Sequence, residues 1–137
     1  MQQVLNIRND IQSLPLVNEW IEQCCEEAGL GLDWVMKFQL VIEEMVSNVI
    51  FYAYDPQQQE AAIELRFTWE AGTVSILLRD WGKPFDPTAK EDPDITLSVD
   101  DRPIGGLGIF MVKQLMDEVR YERVGSSNLL TLQKRIN

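Results

Sequence analysis

Apolar and polar residues follow two different periods along this chain, and each change of period marks a helix or a strand. Apolar positions three to four residues apart are typical of helices, whereas alternation at every second residue is typical of strands. The predicted helices cover residues 16–28, 32–54 and 109–116. The predicted strands cover residues 2–9, 62–69, 73–78, 118–124 and 129–134.

These elements follow the order β, α, α, β, β, long loop, α, β, β. Strands and helices that are segregated in this way favour the α+β class, here a two-layer sandwich with a mixed or antiparallel sheet and helices on one face. A doubly wound parallel sheet needs crossover helices that this order lacks. A chain of 137 residues suits a single domain over residues 1–137.

The formal net charge of -10 weighs against direct, sequence-independent binding of nucleic acid and against binding to an anionic membrane. No apolar run reaches the roughly 20 residues that span a bilayer, and the first residues lack a signal-peptide pattern. We therefore expect a cytoplasmic protein with no membrane association. A nucleotide remains possible, because a metal ion and helix-end amides offset phosphate charge locally.

The chain contains no histidine, which excludes a Ser-His-Asp triad, a histidine-ligated zinc site and a phospho-acceptor histidine within it. Its two cysteines, Cys24 and Cys25, are adjacent and fall inside a predicted helix. Neighbouring cysteines do not form an ordinary structural disulfide, so we expect two reduced thiols.

The long predicted helix carries two polar residues beside its apolar stripe, Glu44 and Asn48. Because they are four residues apart, their side chains are neighbours on one face. A carboxylate and a carboxamide in such a place need partners. They bond either to nearby backbone or to something in a site, and the helix alone leaves both interpretations open.

Asp80 and Gly82 follow a predicted strand, where such a pair commonly forms a turn. A buried aspartate there also accepts a hydrogen bond from an amine such as that of adenine, and a glycine lets a flat ring approach the backbone. Further along, Gly105, Gly106, Leu107 and Gly108 precede the last predicted helix. They form either a hinge or a phosphate site built from open amides at a helix start.

If an anion binds at these glycines, the polar helix residues acquire roles. Asn48 offers an amide oxygen, a hard ligand that suits Mg²⁺ when water and phosphates complete the coordination. Glu44, one turn earlier, is placed to take a proton from an attacking hydroxyl, which phosphoryl transfer requires together with positioning and charge compensation. Glu43 points about 100° away on the helix and is assigned to the surface or to partner contacts.

An E-x-x-x-N helix, then D-x-G, a long lid and G-G-L-G at a helix start resembles the Bergerat-type ATPases, which include gyrase, heat-shock chaperones, histidine kinases and mismatch-repair proteins. The segments EEMVSNVIFYAY, RDWGKPFDP and GGLGIFMVKQLMDEVRYE look like those of the RsbW-like anti-sigma factor serine/threonine kinases. This resemblance extends over residues 4–135.

The resemblance implies an ATP-binding regulator with serine/threonine kinase activity that depends on ATP and Mg²⁺. Such a kinase phosphorylates a STAS-type anti-anti-sigma protein, sequesters a sigma factor and commonly forms a homodimer. The residue roles it implies are the following: Glu44 is catalytic, Asn48 ligates Mg²⁺, Asp80 and Gly82 bind adenine, Gly105, Gly106, Leu107 and Gly108 hold the phosphates, and residues 86–105 form the ATP lid.

Two positions depart from the family pattern. Residues 125–128, Gly-Ser-Ser-Asn, stand where many relatives carry Gly-Thr, and Tyr52 stands where many carry histidine. Ser47 and Tyr52 border the face that carries Asn48. The departures leave an alternative, a nucleotide-binding module that regulates a partner by association alone. A third interpretation, the ATPase half of a histidine kinase, needs a separate chain to supply the phospho-acceptor histidine.

Overall fold

The computed structural model describes residues 1–89 and 107–136, in which one antiparallel sheet is covered by helices. The strands are β1 Gln2–Arg8, β2 Ala62–Glu70, β3 Thr73–Asp80, β4 Glu118–Val124 and β5 Ser127–Arg135. The helices are α1 Leu14–Glu27, α2 Leu32–Asn48 and α3 Leu107–Leu115. The predicted α+β class is confirmed, and of the two sheet types predicted, mixed or antiparallel, the sheet is antiparallel throughout.

The strand order in the sheet is β1-β2-β3-β5-β4, so β3 lies at the centre. Asp80, the last residue of β3, pairs with Ile63 on one side and with Asn128 on the other. The tight turn between β2 and β3 uses Ala71 and Gly72, which both have positive φ, 51° and 76°. This arrangement brings the end of β3 and the start of β5 together at one edge of the domain.

The core lies between the sheet and the helices. Alternate residues of β3 are buried, as the period-two pattern predicts, and α2 buries the face that carries Phe38, Val41 and Met45. Phe67 of β2 receives the ring edges of Trp20 and Phe38, with centroids 6.4 Å away in each pair. The sheet therefore holds α2 in place along its whole length.

The long predicted helix over 32–54 is one element in sequence but two in structure. The α-helix ends at Asn48, and Val49–Ala53 continue as a π-helical turn. The wider turn changes the direction of the side chains that follow Asn48. Such turns occur frequently at functional sites.

Both cysteines are buried and free on the core side of α1. Burial raises the pKa of Cys24 to about 12 and that of Cys25 to about 11, so both are held as unreactive thiols. Among the described parts of the chain, no helix combines the length and apolar character needed to cross a membrane.

Candidate functional site

A small pocket opens where the end of β3, the start of β5 and the last turn of α2 meet. Asn48 and Asp80 both line it, although they lie 32 residues apart in sequence. The remaining lining residues are Met45, Val49, Leu78, Phe85, Pro87, Tyr121, Asn128 and Leu130. The pocket is thus mostly apolar, with a few convergent polar groups, as in small-molecule sites.

Asp80 is the buried acid of this pocket, with only 3% of its surface exposed. Its Oδ1 accepts hydrogen bonds from the backbone N–H of Gly82 at 2.9 Å and from Nδ2 of Asn128 at 2.8 Å. Burial raises the pKa of Asp80, while these two hydrogen bonds and the charge of Arg123 oppose the rise. A buried carboxylate with a free oxygen is an acceptor for an amine donor.

Position 82 requires glycine, because the backbone there approaches the backbone of Ala53 too closely for a side chain. A Cβ at this position would lie 2.3 Å from the carbonyl oxygen of Ala53, the last residue of the π-helical turn. The same carbonyl accepts a hydrogen bond of 2.9 Å from the backbone N–H of Lys83. The segment after β3 is therefore seated directly on the end of the π-helical turn.

The hydroxyl of Tyr54 holds the same junction through two hydrogen bonds. It donates to the carbonyl of Ala62 at 2.7 Å and accepts from the backbone N–H of Trp81 at 2.8 Å. Burial raises the pKa of Tyr54. The ring is 4% exposed, so this hydroxyl acts as a fixed bridge between β2 and the Asp80–Gly82 turn.

Glu44 contacts the start of α3. A Cβ added to Gly108 would meet the Oε2 of Glu44 at 2.2 Å and its Cδ at 3.0 Å. The first turn of α3 thus lies against the face of α2 that carries Glu44 and, one turn later, Asn48. A helix N-terminus beside this face favours a negatively charged ligand.

Asn48 is half-buried, and its carboxamide makes no hydrogen bond to any described residue. Within those residues, no group of three or more Asp, Glu, Cys or His side chains could hold a metal by itself. An ion at Asn48 would therefore take most of its ligands from water and from a bound phosphate, which is how Mg²⁺ usually binds. The free amide oxygen fits that coordination.

The structure brings Asp80 and Asn48 to one pocket and Gly108 to Glu44. Gly82 is not part of the pocket lining; it donates its backbone N–H to Asp80 and packs against Ala53. Leu107 is the first residue of α3, two residues before the predicted helix start at 109. Gly105 and Gly106 lie outside the described residues, as does most of the predicted lid over 86–105. Of that lid, Pro87–Ala89 form a single 3₁₀ turn.

Asn128 also lines the pocket, although its sequence motif indicates no role for it. Its strand position was the available signal, because Asn128 pairs with Asp80 across β3 and β5. Ser47 is half-buried, and Glu43 is exposed, as predicted. Tyr52 stacks on Phe85 with ring centroids 5.3 Å apart, so it supports one wall of the pocket.

The pocket is nearly filled in this conformation. Its internal space, about 20 Å³ for the centre of a water-sized sphere, suits a single water and is far smaller than a purine. Phe85 and Pro87, which form part of the wall, belong to an irregular segment that follows β3. Among residues 1–89 and 107–136, the backbone N–H of Phe85 donates only one long hydrogen bond, of 3.4 Å, to Oδ1 of Asn128.

Comparison with known proteins identifies a consistent group. The profile of the histidine kinase-like ATPase domain matches residues 7–134. The serine/threonine-protein kinase BtrW of Bordetella bronchiseptica is 31% identical over 71% of this chain and 69% of its own length. The serine-protein kinase RsbW of Staphylococcus epidermidis is 29% identical over 67% of this chain and 60% of its own length.

A solved structure shares the fold. The crystal structure of the RsbU and RsbW domains of a Mycobacterium tuberculosis protein superposes with a TM-score of 0.70 at 16% identity. The match covers 98% of this chain and 32% of that protein. At this identity the similarity establishes the fold and not the activity.

Proposed function

Because the chain belongs to the histidine kinase-like ATPase domain family, as an RsbW-like member, we propose that it is an ATP-dependent serine/threonine protein kinase. The observation that carries this proposal is the convergence of Asp80 and Asn48 on one pocket, with Glu44 and the start of α3 beside it. An acceptor for the base amine suits the adenine end of ATP, and an uncommitted amide oxygen, a carboxylate and a helix N-terminus suit its phosphate end.

Asp80 is the proposed adenine receptor. Its Oδ1 is already occupied by two donors, so the remaining carboxylate oxygen is free to accept a hydrogen bond from the exocyclic amine of adenine. Gly82 supports this receptor through its backbone N–H, which holds Oδ1 of Asp80, and Met45, Leu78 and Leu130 supply apolar contact to the ring. Entry of a purine requires Phe85 and Pro87 to move outward, because the pocket is nearly filled.

The phosphates are proposed to lie along the face of α2 that carries Glu44 and Asn48, towards the start of α3. Gly108, together with Gly105, Gly106 and Leu107, would donate backbone N–H groups to them. Asn48 would hold Mg²⁺, which when bound neutralises charge on the phosphate oxygens. Residues 86–105 would act as the lid over the nucleotide.

Glu44 is the proposed catalytic carboxylate. In the transfer step the serine Oγ of the acceptor protein forms a bond to the γ-phosphorus, and the bond between that phosphorus and the β,γ-bridging oxygen breaks. ADP leaves with the bonding electron pair, and Glu44 accepts the serine proton. The contact with Gly108 keeps the Glu44 carboxylate beside the phosphate end of the site.

The proposed partners are a STAS-type anti-anti-sigma protein as phosphate acceptor and a sigma factor that the chain sequesters in the cytoplasm. A homodimer is proposed through the N-terminal strand and first helix, because Met1, Val4, Ile11 and Leu16 expose 42–49% of their surface there. Sedimentation analysis tests this part: Val4→Asp together with Leu16→Asp should convert a dimer into a monomer. A monomeric unsubstituted chain would contradict it.

Phosphotransfer from labelled ATP tests the kinase assignment directly. The chain is incubated with Mg²⁺, ATP labelled on the γ-phosphate and each STAS-type protein of the organism that encodes it. One of them should acquire label on serine. Calorimetric binding of Mg-ATP without transfer to any of them would contradict the kinase assignment and favour the regulatory module that acts by association.

Two neighbouring carboxylates provide a matched pair of variants. Glu44→Gln should lower the transfer rate by at least about 100-fold, because a positioned proton acceptor is lost. Glu43→Gln, on the exposed face of the same helix turn, should leave the rate within about twofold. Equal rates in the two variants would remove Glu44 from the catalytic role.

A further inference from the structure

Asn128 is the most heavily hydrogen-bonded side chain of the pocket. It is 4% exposed, and its Nδ2 donates to Oδ1 of Asp80 and to the carbonyl of Lys83, each at 2.8 Å. Its Oδ1 accepts from the hydroxyl of Tyr121 and from Nη1 of Arg123 at 3.1 Å. The carboxamide is thereby fixed in orientation, with the donor side towards Asp80.

Arg123 extends this contact to the segment after β3. The Nη1 that bonds Asn128 also donates to the carbonyl of Gly82 at 2.8 Å. Asn128 and Arg123 together therefore fix the carbonyls of Gly82 and Lys83 as well as the Asp80 carboxylate. A rigid set of this kind determines which carboxylate oxygen faces the pocket.

We propose that Asn128 is the positioning residue that presents one oxygen of the Asp80 carboxylate to a nucleobase amine, and that it sets the selectivity of the pocket for adenine. This inference rests on the proposed function. Asn128 engages Oδ1, so the carboxylate cannot rotate without breaking two hydrogen bonds, and Oδ2 is left as the acceptor. A base that presents an oxygen in place of the amine then meets an unpaired acceptor.

The ionisation of Asp80 follows from the same contacts. Arg123 of β4 faces it with positive charge, and Tyr54, the residue after the π-helical turn, faces it with a hydroxyl. Removal of the Asn128 donor raises the pKa of Asp80 further, because one of the groups that oppose the effect of burial is lost. When Asp80 is protonated, its O–H group can donate a hydrogen bond. The carboxyl group then no longer discriminates against a base that presents an oxygen in place of the amine.

The test compares ATP with inosine triphosphate, which differs at the reading position by an oxygen in place of the amine. Calorimetry of the unsubstituted chain should give at least about tenfold tighter binding of ATP. Asn128→Asp keeps the shape but replaces the amide donor by a second carboxylate against Asp80, and the like charge raises the pKa of Asp80 further. The variant should reduce the ratio of the ATP affinity to the inosine triphosphate affinity to at most about threefold. The acid limit of ATP binding should also move to higher pH.

Asn9→Asp is the matched control. Asn9 is also buried, at 2% exposure, and its Nδ2 donates to the carbonyls of Asp55 and Gln58, away from the pocket. It should lower the melting temperature as Asn128→Asp does, while it leaves the affinity ratio unchanged. Asn128→Ser, a smaller polar side chain that does not reach Asp80, provides the second variant if Asn128→Asp does not fold.

The outcomes separate this inference from the proposed function. If the unsubstituted chain binds ATP in preference to inosine triphosphate and both Asn128 variants keep the ratio, only the role of Asn128 is overturned. If the unsubstituted chain binds neither nucleotide, the proposed function and this inference fail together. If both Asn128 variants lose the preference for ATP over inosine triphosphate and Asn9→Asp keeps it, the positioning role of Asn128 is supported.

Discussion

The backbone of Gly108 lies against the carboxylate of Glu44, so close that a Cβ on Gly108 would be 2.2 Å from Oε2. The contact joins the first turn of α3 to the C-terminal half of α2, between two residues that are 64 positions apart in sequence. It defines the distance between the proposed proton acceptor and the helix start proposed to hold the phosphates. The glycine is thus needed for the geometry of the site.

Gly108→Ala should impair phosphotransfer much more than stability. The added methyl group displaces the end of a flexible side chain, so the melting temperature should change by no more than a few degrees. A displacement of about 1 Å at Glu44 should lower the transfer rate by about 100-fold. A variant that keeps the full rate would show that the position of Glu44 is not critical.

Gly82→Ala, in contrast, should reduce the stability of the fold strongly, because its Cβ would meet a backbone carbonyl. The oxygen of Ala53 lies 2.3 Å from that position and cannot turn away as a side chain does. We expect destabilisation by about 1–3 kcal/mol, measured by chemical unfolding. Gly31→Ala, whose Cβ meets nothing within 4 Å, is the control and should cost less. Equal losses in the two variants would contradict the close approach.

Asp80→Asn should stabilise the fold and abolish ATP binding. Burial raises the pKa of Asp80, so the ionised carboxylate costs the folded state free energy at neutral pH. The cost appears as pH rises from the ordinary aspartate value of about 3.9 through the raised folded value, and it is absent below that window. The variant should melt at a higher temperature than the unsubstituted chain at pH 7 and show no gain in strong acid. A lower melting temperature at pH 7 would contradict this.

Tyr54→Phe should weaken both stability and nucleotide binding. It leaves the carbonyl of Ala62 and the N–H of Trp81 without their partner, at a cost of about 1–3 kcal/mol. The loosened Asp80–Gly82 turn should then raise the dissociation constant for ATP severalfold. Unfolding curves and calorimetry measure the two effects. Unchanged stability would show that the buried bridge contributes nothing.

The regular spacing of apolar residues predicts most of the helices and strands from the sequence. The strand pattern of β2 and β3 depends on local alternation, and the structure reproduces both strands, with β3 extending two residues beyond its predicted end at residue 78 to Asp80. The change from α-helix to π-helix after Asn48 was not predicted, because the apolar positions continue without a break through Ala53. The π-helical turn packs against the segment at Gly82, and this contact between distant parts of the chain cannot be read from the local sequence.

The sequence also predicts part of the site, because several of its residues belong to local motifs. Glu44, Asn48, Asp80 and Gly82 carry motif positions that can be read from spacing. The importance of Asn128 depends on the pairing of β3 with β5, which places it opposite Asp80 across 48 residues. In the sequence, Asn128 directly precedes the strand predicted from residue 129, and nothing marks it as a site residue until that register is known.

The central claim is that Asp80, Asn48 and the start of α3 bind the two ends of one nucleotide. A crystal structure of the chain with Mg²⁺ and a non-hydrolysable ATP analogue measures this most directly. The account predicts the adenine amine on Asp80, the metal on Asn48 and the triphosphate against the first turn of α3 beside Glu44. A nucleotide bound elsewhere, or a pocket that remains closed by Phe85 and Pro87 at saturating analogue, would contradict it.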